Sequence, residues 1–302
     1  VIGYGSTTKK DLVGAVNSVK ADDIRKTAPT IQDALQGKVA GVQVTSNSGE
    51  PGAGVNLVIR GTNTVNAGSD PLYIIDGLQI DVNTGEVGGN RFGSNVRYNP
   101  LSTINPSDIK SIEILKDAAA TAIFGSRGAN GVIIVTTKDG SGETTSVELD
   151  AYNGISNAIK QLDVLKGQDF ASYRMLVQPS SIYGTDTNGD GVVDQVKDFS
   201  NEEVNWQDEI LRTALTQSYN IGLNSGANSK VRVSSSFGFL NQQGIVDKNS
   251  FKRFNGRTRV EYPINKNLSM GGGINYTRTV SDGVTASAGG GQYYGVIESF
   301  VL

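Results

Sequence analysis

The stretch Asp186-Thr187-Asn188-Gly189-Asp190-Gly191-Val192-Val193-Asp194 has the oxygen spacing of a calcium loop. Side-chain oxygens recur at loop positions 1, 3, 5 and 9, and Gly191 at position 6 suits the sharp turn. The Val192 carbonyl falls at position 7. Asp186, Asn188, Asp190, Val192 and Asp194 are therefore candidate ligands for Ca2+, a hard cation that takes oxygen donors. Position 12 is Lys197, which has no carboxylate to give, so Asp198 or Glu202 would have to replace it. The plain alternative is a solvated Asp/Gly-rich loop, and the sequence leaves both readings open.

Arg253, Arg257 and Arg259 carry a second kind of chemistry. Three guanidiniums at odd positions of one alternating segment share one face of a strand. They are candidates to line a polar path or to form fixed ion pairs with carboxylates, and the second is the more ordinary use. Other chemistry is excluded by composition. With neither histidine nor cysteine in the chain, Ser-His-Asp triads, His-ligated zinc, thiolate metal sites, a Cys nucleophile and disulfide staples all drop out. The Gly-rich start and Gly289 to Gly291 lack the Lys-Ser/Thr that makes a phosphate loop. No carboxylate pair stands out as an acid/base dyad, and catalysis is not expected. Trp206 and Tyr293-Tyr294 are aromatics for loop packing or an interfacial girdle, with contact to a ligand as the alternative.

The elements that carry these residues show an inverted pattern. From Phe254 to Tyr262, one face of the strand holds Phe254, Gly256, Thr258, Val260 and Tyr262, and the other holds Arg253, Asn255, Arg257, Arg259 and Glu261. Leu268 to Thr277 repeats this, with Leu268, Met270, Gly272, Ile274 and Tyr276 against Ser269, Gly271, Gly273, Asn275 and Thr277. Each run is about ten residues, the length a tilted strand needs to cross a bilayer. The apolar face is too sparse for a close-packed core and the opposite face is strongly polar, as in a transmembrane barrel with a wet lumen. Hydrophobic content is only 37% and glycine is frequent at 38 residues, which suits β-rich material with many turns. The net charge of −3 comes from interspersed charges, so no basic face points to nucleic acid.

Two textures divide the chain. Residues 1–143 mix short strands and helices in an α+β module. A helix is expected from Ile31, capped by Thr30, with Ile31, Leu35 and Val39 in helical phase and Gly41 ending it. Asp76-Gly77 between Leu72–Ile75 and Leu78–Ile80 signals a tight hairpin. Strands are expected at Val55–Arg60, Ile109–Leu115 and Val132–Thr137. An Ala-rich helix from Ala118 to Phe124, capped by Asp117, lies between the last two. Residues 144–302 read as long strands near 146–158, 216–224, 230–240, 254–262 and 268–277, with short turns on one side and long loops on the other, as outer-membrane barrels have them. Five strands do not close such a barrel.

At several points the sequence resembles the SusC/RagA family of TonB-dependent outer-membrane transporters. The plug of that family is similar at Leu35-Gln36-Gly37-Lys38-Val39-Ala40-Gly41-Val42-Gln43-Val44, at Ile59-Arg60-Gly61 and at Pro71-Leu72-Tyr73-Ile74-Ile75-Asp76-Gly77. The longest likeness runs through Ile104-Asn105-Pro106, Ser111 to Ala118 and Gly125 to Thr137. Asn205-Trp206-Gln207-Asp208-Glu209-Ile210 and Gly244-Ile245-Val246 resemble the family's early barrel.

The resemblance implies an α+β plug inside an antiparallel transmembrane β-barrel of about 22 strands, about five of which would lie here. It implies TonB-dependent import of a bulky nutrient, a glycan or a peptide, in the outer membrane of a Bacteroidota-type cell. The implied partners are a SusD-like surface lipoprotein, the TonB–ExbB–ExbD complex and membrane lipid, with two transporter–lipoprotein pairs joined as a dimer. Arg60 and Arg127, inside family motifs, become candidates for plug-to-wall pairing or gating, together with Arg253, Arg257 and Arg259. The chain opens mid-motif at Val1-Ile2-Gly3-Tyr4-Gly5, so the segment that TonB grips is expected to precede it. Two alternatives stay open: a soluble, calcium-dependent carbohydrate-binding module, and a signalling receptor of the same architecture.

Overall fold

The computed structural model describes residues 16–20, 30–46, 49–53, 55–61, 70–80, 104–140, 144–178, 182–198, 204–226, 230–265 and 268–283. The residues of the aromatic pair Tyr293-Tyr294, the Gly289–Gly291 run and the opening motif lie outside them.

The N-terminal module follows the order β1 (Val16–Lys20), α1 (Ile31–Leu35), β2 (Val42–Ser46), β3 (Val55–Ile59), β4 (Leu72–Ile75), β5 (Leu78–Ile80), β6 (Ile109–Leu115), α2 (Ala118–Thr121) and β7 (Val132–Thr137). Five strands form one sheet in the order β1-β6-β7-β4-β5. Only the β4–β7 pair is parallel, while β2 and β3 make a separate antiparallel ribbon. β7 is apolar from Val132 through Val135 because it lies inside the sheet with both faces covered. On one face Ile112, Ile114, Ile133 and Val135 pack with Ile31, Leu35, Leu57 and Ile59. On the other, Leu115, Val132 and Ile134 pack with Ala120 and Phe124. Each such burial contributes about 1.5–3 kcal/mol.

Several local expectations shift. α1 stops at Leu35 because Gly37 takes φ 73, a left-handed value that ends the helix, yet Val39 is still buried. The Ala-rich helix keeps α geometry only to Thr121 and continues as a 3-10 segment to Gly128, interrupted by Gly125 at φ 59. Asp117 makes no side-chain cap bond there, since Arg60 pairs with its carboxylate. The Asp76-Gly77 turn forms as expected, with φ 48 and 87 joining β4 to β5.

The second half runs β8 (Ser146–Ser156), α3 (Gly167–Val177), β9 (Gly184–Thr185), β10 (Gln195–Val196), α4 (Trp206–Ile210), β11 (Ala214–Asn224), β12 (Arg232–Gln243), β13 (Ser250–Asn265) and β14 (Leu268–Asp282). Its long strands form one antiparallel sheet, β14-β13-β12-β11-β8, which is not a closed barrel among the described residues. β13 and β14 reach 16 and 15 residues, longer than the alternation alone suggested. The turn expected at Pro263 shrinks because β13 carries that proline at a register shift, where a missing N–H is tolerated. Among the described residues no helix is long and apolar enough to cross a membrane, and a β-barrel needs none.

Register places side chains in rows. One row runs Leu149, Ile221, Phe237, Gly256, Tyr276 and the next runs Glu148, Gly222, Ser236, Arg257, Asn275. The apolar rows stand bare, with Phe254, Val260 and Ile274 at 47%, 39% and 76% exposure, while Arg253 and Arg257 are buried at 3% and 9%. A water-soluble sheet would have the opposite arrangement. The charged side is covered by the N-terminal module, and lipid is the solvent that suits the bare side.

Candidate functional site

The seam between the N-terminal module and the long-strand sheet gathers the polar chemistry of the chain. Asp76, held in the tight β4–β5 turn, is its centre. Its carboxylate accepts the Thr137 backbone N–H at 2.9 Å and also the Thr137 hydroxyl. Across the seam Arg257 Nη2 lies 3.5 Å and Arg259 Nη1 3.8 Å from Asp76 Oδ2. Arg257 also donates from Nη1 to the Lys138 carbonyl at 2.9 Å, and from Nη2 to the Thr137 hydroxyl. Lys138 in turn pairs with Glu148 of β8 at 2.5 Å. The end of β7 is thus tied to β8 and β13 through charge-assisted bonds, stronger than neutral ones.

Asp108 lies buried beside this group. Burial pushes its carboxyl above the usual carboxylate range, with Ser236 and the cations Arg257, Lys138 and Arg253 acting in the opposite direction. Nearby, Asn105 opens the 3-10 turn Pro106–Asp108: its side-chain oxygen accepts the Ser107 N–H at 3.1 Å while its Nδ2 donates to Asn220 of β11. An apolar contact adds to the seam, where Phe251 lies over Gly52 so closely that a Cβ there would meet its ring. A cleft of about 790 Å³ remains between the β4–β5 hairpin and β13–β14, lined by Asp76, Gln79, Arg257, Arg259 and Asn275 among others. On the β14 side, Gly271 and Gly273 add no side chain between Ser269 and Asn275.

Of the five arginines singled out in the sequence, Arg253, Arg257 and Arg259 meet the module at this seam. Among the described residues Arg60 pairs with Asp117, across the module's own surface. Arg127 donates to Gln79 at 3.2 Å, again inside the module. Asp76, Asp108, Thr137 and Lys138 are seam residues that sequence reasoning missed. Asp76 was legible only as a turn residue, and nothing in the sequence announced its partners.

The candidate calcium ligands fall on the loop between β9 and β10. The Asp186 carboxylate accepts N–H groups from Gly191 at 2.8 Å, Gly189 at 2.7 Å and Asn188 at 3.2 Å, and these bonds, led by Gly191, hold it below the usual carboxylate range. Asn188 accepts from Asp190 N–H, Asp190 from Val192 N–H, and Asp194 from Thr187. The acids are thus turned onto the loop's own backbone, and among the described residues no three Asp or Glu carboxylates gather as a metal site. Elsewhere the two early-barrel motifs come together: Leu211, after α4, bridges Val246, and Arg212 N–H donates to the Ile245 carbonyl at 2.8 Å. Asn205 caps α4 through Gln207 N–H, and Trp206 is half exposed beside it.

Residues 8–132 match the TonB-dependent Receptor Plug Domain. The chain is similar to the TonB-dependent receptor SusC of Bacteroides thetaiotaomicron, 40% identical over 84% of this chain and 23% of that one. It is 36% identical to TonB-dependent receptor P3 of Formosa agariphila, over 95% of this chain and 25% of that receptor. It therefore spans about a quarter of the length of these curated relatives. Among solved structures, the RagAB peptide importer in the open-open state superposes with a TM-score of 0.75 at 29% identity, covering 93% of this chain and 32% of that one. The N-terminal module is thus a plug and the long-strand sheet a stretch of barrel wall, and the chain belongs to the SusC/RagA-type TonB-dependent receptors.

Proposed function

We propose that the receptor carrying this chain imports a bulky nutrient, a glycan or a peptide, across the outer membrane of a Bacteroidota-type Gram-negative bacterium. The carrying observation is the orientation of the wall: its charged rows face the plug and its apolar rows face outward. That arrangement makes a stoppered polar bore. The plug blocks it, and work delivered by the TonB–ExbB–ExbD complex opens it by breaking the seam. A SusD-like surface lipoprotein captures cargo above the barrel, and two such pairs join as a dimer. The similarity to a peptide importer supports the peptide class, with a glycan as the alternative cargo. The work is transport rather than catalysis.

The same orientation argues against a soluble carbohydrate module, which would have to bury Phe254, Val260 and Ile274. The test is uptake of labelled oligosaccharides and peptides by cells with and without the full-length receptor. Import of one class, lost on removing the receptor or TonB, is the expected result. Equal uptake in all strains would overturn the proposal. As a second element, Ca2+ bound through Asp186, Asn188, Asp190, Asp194 and the Val192 carbonyl would stiffen the β9–β10 loop. Calorimetric titration of the intact receptor should show heat that Asp190→Ala abolishes. Absence of heat removes the calcium reading.

A further inference from the structure

We propose that Asn105 is a peg that sets the position of the plug against the wall, and that Gly238 is the notch that receives it. The proposal rests on the gating reading above. Register puts Asn220, Gly238 and Asn255 side by side on β11, β12 and β13, all facing the plug. A Cβ on Gly238 would stand 2.5 Å from Asn220 Oδ1, 2.5 Å from Asn255 Oδ1 and 2.6 Å from Asn105 Nδ2. Three amides from three separate elements therefore converge over a wall position that has no side chain. Asn105 and Asn255 are both buried.

The peg is held at both ends. Its Oδ1 accepts the Ser107 N–H inside the plug, which leaves Nδ2 pointing outward to donate to Asn220. Pro106 follows directly, and its ring fixes the turn that aims the side chain. A side chain of any size at position 238 would fill the space that the amide enters. Neutral amides do not titrate and are little affected by salt, unlike the Asp76–Arg257–Arg259 group one row away. The peg thus supplies position, and the ionic group beside it supplies strength that salt can weaken.

The test uses the full-length receptor in planar bilayers, with hydrogen exchange at residues 104–110 as a second readout. Gly238→Ala should raise leak conductance and speed exchange about tenfold or more, because a buried amide loses its partner. The barrel's heat-modifiable gel mobility should stay unchanged. Asn105→Ala, which adds no atom, should do the same, and the double variant should be no worse than Asn105→Ala alone. A plug-deleted receptor is the control. If it leaks while both single variants stay closed and exchange at the wild-type rate, the peg is refuted. If it does not leak, gating by the plug is refuted, and unchanged exchange in Gly238→Ala then still decides against the peg.

Discussion

Replacing Asp76 with asparagine isolates the charge at the centre of the seam. The exchange is nearly isosteric, and asparagine is among the few residues that accept the left-handed φ of 48 at this turn. The amide oxygen still accepts the Thr137 N–H. What disappears is the negative charge 3.5 Å from Arg257 and 3.8 Å from Arg259. Two unit charges at such distances interact by about 4 kcal/mol at an effective dielectric of about 20. The side chains of Asp76 and Arg259 remain 23% and 37% exposed, so water screens part of this. Arg257 keeps its bonds to the Lys138 carbonyl and the Thr137 hydroxyl, so it is not left bare. The expected loss is therefore about 1–2 kcal/mol, below the 3–5 kcal/mol of a fully buried broken pair. Hydrogen exchange on the full-length receptor should speed about 5- to 30-fold at residues 75–78 and 137–138. Raising salt should narrow the gap between variant and wild type. An unchanged exchange rate, or a gap independent of salt, would refute the ionic account of the seam.

Other perturbations bear on separate parts of the argument. Ile274→Lys should cost about 2–4 kcal/mol near the bilayer midplane, read as loss of the heat-resistant folded band in gels, while Asn275→Lys on the lumen side should cost far less. Burial raises the Asp108 carboxyl, so its contribution to plug stability is fully present below the unfolded value of about 3.9 and is lost as pH rises through the folded value. Asp108→Asn should flatten that part of the pH–stability profile, and an identical profile in the variant would exclude Asp108 as its source. Gly52→Ala adds a Cβ against the Phe251 ring at a φ of 72 and should loosen the plug by about 1–3 kcal/mol. Thermal melts should show a partial rescue when Phe251→Ala is added.

The alternation at Phe254–Tyr262 and Leu268–Thr277 revealed which side of the wall faces lipid, because side-chain direction in a strand follows parity alone. The Asp-Gly turn was legible for a similar reason, since few dipeptides favour left-handed backbone at two successive residues. The seam was not legible. Asp76 and Arg257 are separated by about half of the plug and three strands of wall, and no local propensity encodes their meeting. Arg60 shows the converse case. Its motif drew attention to it, but Asp117 was available inside the module and took the charge. Gly238 was equally silent, because a glycine in a strand reads the same whether it marks a bulge, a bare wall or a notch.

The two parts of the chain are held together by different physics. Inside the plug, Ile112, Ile133, Leu57 and Ile31 are fully enclosed, and extracting any one exposes apolar surface at about 1.5–3 kcal/mol. Across the seam the contacts among the described residues include amides, carboxylates, guanidiniums and the Phe251 ring. Water replaces such a polar bond at a net loss of about 0.5–1.5 kcal/mol. The adjoining cleft of about 790 Å³ is lined by Asp76 and both of its arginine partners and has room for water. A pull along the seam therefore meets a series of small, separately hydratable barriers, whereas a pull on the core meets one cooperative apolar barrier. The polarity of the inward wall and the sparse grease of its outer face are thus two sides of one requirement. In the import proposed above, the stopper must seal against a surface that it can also leave.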